Sequence, residues 1–269
     1  MWDLPRKLFL TVAMVTSLLL AGCGGSEEEP YVERPVEELY NDAMNLLAEG
    51  EYKLSISAFN EVDRQHPYSI WATKAQLMTA YVYYLRDDYD ESILAIDRFI
   101  ELHPGNKDTP YAYYLRAIVY YEQIVDIDRD QRITLLAMQA LQDVLRRYPD
   151  TAYARDTKLK IDLTRDHLAG KEMAIGRYYL ERREYAAAIN RFKNVVRDYQ
   201  TTTHIQEALH RLVESYLSLG INYEAEQAAS VLGHNFPASK WYEKSYALVQ
   251  GISPEINESW YEEVWNWVF

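Results

Sequence analysis

The chain of 269 residues contains one cysteine, Cys23, so it has no second thiol with which to close an internal disulfide. It also lacks a long apolar run. The nearest thing to one, Leu8 to Leu20, is broken by two Thr and one Ser and covers about 13 residues, where a bilayer crossing needs about 20. Cations are scarce too: 28 Lys and Arg stand against 41 Asp and Glu, a net charge of −13, which excludes nucleic acid and anionic lipid as natural partners of the body. There is no His-Glu-x-x-His, no Cys-x-x-Cys, no Gly-x-Ser-x-Gly and no phosphate-cradling glycine loop. The six His are scattered, and no spacing of Asp and Glu singles out an acid/base pair. Asp126, Asp128 and Asp130 match the first three ligands of a calcium loop. Gln131, however, stands where that loop needs Gly and Ala137 where it needs Glu. We therefore expect no metal, no cofactor and no enzymatic reaction.

What is present begins with Arg6 and Lys7, then the short apolar run, then Leu20-Ala21-Gly22-Cys23. A charged head, a greasy middle and a small-residue cleavage site make a secretion signal, and the last four residues look like a bacterial lipobox. On that reading residues 1–22 are removed and Cys23 carries the acyl chains, enough of them for stable membrane attachment; the other reading is an ordinary secretory cleavage site beside an incidental Cys. Losing Arg6, Lys7 and Asp3 with the signal takes the net charge to −14. Gly24 follows the Cys, not the Asp that retains lipoproteins at the inner membrane, so the sorting rule points to the outer membrane, periplasmic face. Residues 23–34 are the lipidated Cys and a tether rich in Gly, Ser, Glu and Pro, long enough when extended to reach roughly 40 Å.

The rest repeats itself. Gly50-Glu51-Tyr52 is followed by Pro67 and Arg86-Asp87-Asp88-Tyr89 by Pro104, with the same Tyr-to-Pro spacing of 15 and an offset of 37. The frame returns as Thr134 to Pro149, Tyr185 to Gln200 and Asn222 to Pro237. Three positions after each frame start stands a small residue (Ser55, Ser92, Ala137, Ala188, Ala225); seven after stand Phe59, Ile96, Leu141, Phe192 and Ala229, and ten after Val62, Phe99, Val144, Val195 and Leu232. Offsets of 3, 7 and 10 share one face of a helix, and the prolines stop it. The segment before each frame also reads as helix, with Ala43, Ala80, Ala117 and Gly176 as points of close approach. A helix-turn-helix unit of this length looks like the tetratricopeptide repeat, here slightly lengthened. The expected fold is all-α: a tetratricopeptide-like solenoid of five repeats, whose curved face suits binding of polypeptide.

Residues 35–150 hold repeats 1–3, residues 151–237 a long connecting helix with repeats 4–5, and residues 238–269 a C-terminal extension. Glu122 to Gln131 reads as an exposed acidic loop and Tyr153 to Arg182 as the long helix. His66 and His103 hold one repeat position just before Pro, which suggests packing or a helix end. Most of the 24 Tyr suit helix packing, and some could suit a peptide-contacting surface.

Lipobox, acidic tether, five long repeats, His66-Pro67-Tyr68-Ser69, and Ala95-Ile96-Asp97-Arg98-Phe99-Ile100 with His103-Pro104 together resemble the BamD family, the lipoproteins of the β-barrel assembly machinery, over about residues 18 to 250. The resemblance implies a non-catalytic subunit that binds the periplasmic domains of BamA, works beside other assembly-machinery lipoproteins and helps insert outer-membrane β-barrel proteins. It implies that Arg197, Asp198 and Tyr199 match a segment gripping the membrane-proximal BamA domain, with Arg197 in a salt bridge; Gln200 departs from the usual Pro. It implies further that the N-terminal units recognise the aromatic-ended C-terminal segments of unfolded outer-membrane proteins. Tyr68, Trp71, Tyr81 and Tyr84 are the groove candidates, with inter-repeat packing as the other use for them. Another periplasmic repeat lipoprotein, organising cell-wall or secretion enzymes, is the second functional reading.

In the extension, Ser253 can cap a helix with Pro254 at its first position, giving Trp260, Tyr261, Val264, Trp265 and Val268 one apolar face. Such a helix would cover the last repeat or dock on a partner. Trp265, Trp267 and Phe269 alternate like the substrate signal itself, so occupation of a substrate groove by the tail is the other reading.

Overall fold

The computed structural model describes residues 33–251 apart from Asp128. The signal segment, Cys23, the tether up to residue 32 and the tail from residue 252 lie outside the described residues, together with the expectations that fall on them. All the described helices belong to the unit that begins at Val36.

Among the described residues there are eleven helices and no strand. Five antiparallel pairs follow one another: α1 (Val36–Ala48) with α2 (Tyr52–Gln65), α3 (Ile70–Leu85) with α4 (Tyr89–Leu102), α5 (Thr109–Glu122) with α6 (Arg132–Arg147), α7 (Ala152–Glu181) with α8 (Tyr185–Asp198), and α9 (Ile205–Ser218) with α10 (Asn222–Asn235). A last helix, α11 (Lys240–Val249), packs on α9 and α10 and forms the described part of the C-terminal extension. In four of the five pairs the second helix starts at the frame residue itself. In the third it starts two residues earlier, at Arg132, where no tyrosine marks the frame.

The frame explains the packing. The small residues at the third position and the bulky ones at the seventh and tenth are all buried, and Phe59, Phe99 and Phe192 are the largest wholly enclosed side chains. Each such ring stabilises the fold by roughly 1.5–3 kcal/mol through the apolar area removed from water. Where a hydroxyl occupies the small position it is satisfied locally: Ser55 Oγ donates to the Ala43 carbonyl and Ser92 Oγ to the Ala80 carbonyl, both at 2.9 Å. The same hydrogen bond thus pins the helix crossing in units one and two.

The turns repeat as well. Between first and second helices the residue two before the frame start has positive φ: Gly50 (79°), Asp87 (61°), Arg183 (62°) and Gly220 (73°). Glycine accepts this freely, whereas Asp87 and Arg183 hold it at a cost of about 1–2 kcal/mol. Second helices end alike, on His66, His103, Tyr148, Tyr199 and Phe236, each of whose backbone N–H reaches the carbonyl four residues back. His66 and His103 are therefore helix ends, and His103 Nε2 also lies 2.8 Å from Gln76 Oε1.

The acidic insertion is a loop between α5 and α6, as its composition suggests. The long helix is α7, 30 residues in one continuous run, about 45 Å from end to end. Its N-terminal half packs on α6, where Tyr153 and Ile161 meet the core around Leu141 and Val144. Its C-terminal half is the first helix of unit four, with Ala169 and Met173 in the core around Phe192.

Candidate functional site

Units two and three and the start of α7 carry a strip of tyrosines. Tyr81 and Tyr84 on α3 are one helical turn apart, with ring centres 6.1 Å from each other. Tyr111 and Tyr114 on α5 share that spacing and close on Tyr153 of α7, at 5.7 Å and, nearly parallel, at 5.0 Å. All five rings are half-buried. Tyr114 Oη donates to Asp156 Oδ2 at 2.6 Å, Lys160 Nζ lies 3.0 Å from the same carboxylate, and that ammonium stands 5.3 Å over the Tyr121 ring. Burial pushes the Tyr111 and Tyr114 hydroxyls well above the usual tyrosine range, with Asp156 adding to it at Tyr114. Burial and then the Glu122 charge raise Tyr84. The hydrogen bond from Tyr114 holds Asp156 low. These hydroxyls stay protonated across the physiological range, so the strip offers flat apolar area edged with neutral hydroxyls, of which Tyr114's is already given to Asp156.

The four sequence candidates fare differently. Tyr68, in the turn between α2 and α3, is wholly exposed. Trp71 is packed into unit one, its ring 4.8 Å from Tyr40 and capped by Lys74 Nζ at 4.6 Å, so its body belongs to the inter-helix core. Tyr81 and Tyr84 rest on the core of unit two while keeping an exposed edge in the strip. The structure brings those two together and leaves Tyr68 and Trp71 apart from them. Tyr111, Tyr114 and Tyr153 were missed by sequence reasoning, although the shared three-residue spacing of the pairs 81/84 and 111/114 was a signal within reach.

The second candidate lies at the end of α8. Arg197 is exposed and folds onto its own neighbour: Nε donates to Asp198 Oδ1 at 2.9 Å, Nη2 to Asp198 Oδ2 at 2.7 Å, and Nη2 also to Asn194 Oδ1 at 3.0 Å. This fork raises Arg197 further and holds Asp198 low. Arg165 of α7 donates to the Asp198 carbonyl at 2.8 Å, which fixes the helix end. Tyr199 caps α8 and packs on the core of units four and five, its hydroxyl raised by burial. Of the three matched residues, two are therefore open to a partner and one is structural.

Beyond it, α11 is held by His210 of α9, whose Nδ1 lies 2.8 Å from Ser245 Oγ and whose ring lies 5.1 Å from Trp241. Burial takes His210 down to about 4, against a smaller opposing pull from Glu214, so it is a neutral packing group at physiological pH. Among the described residues no group of three or more His, Cys, Asp or Glu is placed to hold a metal ion, and no helix is long and apolar enough to cross a membrane.

Residues 32–232 match the model of the family YfiO, described as outer membrane lipoprotein. A protein of Caulobacter vibrioides named outer membrane protein assembly factor BamD is 49% identical over 93% of this chain and 84% of its own length. Its namesake in Rickettsia prowazekii is 46% identical, over 90% of this chain and 96% of its own. The one in Neisseria gonorrhoeae is 32% identical, over 87% and 92%. With such a match across the repeats and such identity over most of its length, the chain belongs to the YfiO family of outer membrane lipoproteins, the family of the BamD assembly factors.

Proposed function

We propose that this protein is a non-catalytic scaffold of outer-membrane β-barrel assembly, anchored through acylated Cys23 to the periplasmic face of the outer membrane. It holds the periplasmic domains of BamA through the end of unit four and presents the tyrosine strip of units two and three and the start of α7 to the C-terminal segments of unfolded outer-membrane proteins. Other assembly-machinery lipoproteins complete the complex. The observation that carries this reading is the near-half identity to a named BamD over 93% of the chain. Two further features support it: a rigid helical body separates the aromatic strip from the exposed Arg197–Asp198 fork, and the signal ends in Leu-Ala-Gly-Cys. In the complex Arg197 exchanges its Asp198 partner for a carboxylate of BamA, a trade between charge-assisted hydrogen bonds that costs little.

Affinity purification of the full chain from detergent extracts tests the proposal. BamA in the eluate is the expected result; recovery of a cell-wall synthase or secretion enzyme without BamA would replace it with the second reading. Arg197→Ala should lower BamA recovery several-fold and leave the melting temperature unchanged, because the side chain is exposed.

A further inference from the structure

The grooves between successive second helices are not built alike. Over α5, between α4 and α6, Arg116 spans the groove: Nη1 lies 2.8 Å from Asp97 Oδ1 on one wall and Nη2 3.9 Å from Asp143 Oδ2 on the other. Arg116 precedes Ala117, the close-approach residue of its unit. Asp97 stands eight residues after the frame start Tyr89, and Asp143 nine after Thr134.

One unit earlier, between α2 and α4 over α3, the same three positions are Thr79 (before Ala80), Asn60 (eight after Tyr52) and Arg98 (nine after Tyr89). The cation has moved from the floor to a wall, and both partner carboxylates are gone. Thr79 is only 8% exposed, and its hydroxyl has no hydrogen-bond partner among the described residues. It lines a cleft of about 90 Å³ together with Asn60, Asp63, Gln76 and Arg98, above the rings of Phe59 and Phe99. A single water needs roughly 10–15 Å³ of such space, so the cleft admits a group of several heavy atoms. Gln76 is already committed, donating to Asp63 Oδ1 at 2.8 Å and lying 2.8 Å from His103 Nε2. One oxygen of the Asp63 carboxylate is thereby held by Gln76. Among the described residues Arg98 makes no ion pair, and a buried hydroxyl left without a partner is unfavourable.

We propose that this cleft is a carboxylate-binding site. A carboxylate would accept from the Thr79 hydroxyl and the Asn60 amide and pair with the Arg98 guanidinium, completing from outside the clasp that Arg116, Asp97 and Asp143 make within the chain. The chemistry fits an acidic side chain of a protein partner and a free small carboxylate equally, and the test separates them. The site is independent of the tyrosine strip and of the Arg197 fork.

The full chain in detergent micelles, labelled with 15N-arginine and methyl-13C-threonine, is titrated with acetate, with N-acetyl-glutamate amide and with N-acetyl-glutamine amide. Saturable shifts of the Arg98 Nε–H and Thr79 methyl signals with the glutamate compound, and not with the glutamine one, are expected. Thr79→Val, which keeps the side-chain shape, and Arg98→Gln should each weaken the response at least tenfold. Tighter binding of the glutamate compound than of acetate assigns the site to a polypeptide side chain, and equal binding assigns it to a free carboxylate. Equal response to the glutamine compound or to sodium chloride, or an undiminished response in Thr79→Val, would overturn the proposal.

Discussion

Gly176 sits where α7 meets α8, and replacing it with Ala should reverse the usual sign of a glycine-to-alanine change in a helix. In an open helix interior that substitution stabilises by about 1 kcal/mol. Here a Cβ would fall against the ring of Phe192, 2.8 Å from both Cδ1 and Cζ and nearer still to Cε1. Those are not the ends of a flexible chain but parts of a rigid ring that is itself fully buried. Forcing an extra methyl into a filled core costs about 1–3 kcal/mol, so after the helix gain of about 1 kcal/mol the net expectation is a loss of up to about 2 kcal/mol. At about 2–4 °C per kcal/mol for a body of this size, the melting temperature should fall by up to about 8 °C. Helical ellipticity followed against temperature and urea on the detergent-solubilised chain measures it. Gly170→Ala in the same helix is the control: its nearest neighbour is His204 Nε2 at 3.3 Å, the tip of a movable side chain, so that variant should be neutral or stabilised. Phe192→Leu should relieve the clash, giving a coupling of at least about 0.5 kcal/mol in the double-mutant cycle. If Gly176→Ala melts higher than the parent, or the cycle is additive, the close α7–α8 crossing is wrong.

Ser55→Ala and Ser92→Ala should cost about 1 kcal/mol each, and nearly the same amount, because each removes one hydrogen bond from one repeat position; chemical denaturation compares them directly. His210 is held down near 4 by burial, below its value of about 6.5 in an unfolded chain. The unfolded chain therefore takes up the proton first. The stability from the neutral ring is complete above pH 6.5, is lost as pH falls from there to about 4, and amounts to at most about 3 kcal/mol; urea midpoints at pH 7.5 and 4.5 should differ less in His210→Gln. Tyr114→Phe removes the donor to Asp156, so the Asp156 carboxyl should titrate higher, as carbon-detected NMR would show, with a stability loss below about 1 kcal/mol.

The repeat was legible because its information is local. Ser55, Phe59 and Val62 share a face through spacing alone, and the same three offsets found the core of all five units. Boundaries were clear where a tyrosine or proline marks them, and shifted by two residues in unit three, where Thr134 takes the tyrosine's place. The surfaces were harder to read. Trp71 and Tyr81 lie on α3, which buries one side against its own partner and another against the neighbouring units. Periodicity cannot say which aromatic faces which. Tyr111 and Tyr153 meet across 42 residues of sequence, and the Arg98 cleft is defined by residues from three helices; neither follows from the spacing within one helix. That Arg197 turns back on Asp198 depends on side-chain geometry at a helix end, which the letters Arg-Asp-Tyr leave open.

The uninterrupted run of α7 makes it a beam shared by the two candidate sites. Tyr153 and Lys160 near its start belong to the aromatic strip, while Arg165, Glu172 and Gly176 further along fix the helix that carries Arg197. With no joint between them, a tilt of about 5° imposed at one end of a 45 Å rod moves the other by about 4 Å. Cargo leaning on the tyrosines and a partner gripping the arginine would each feel the other's pull through that one stiff member.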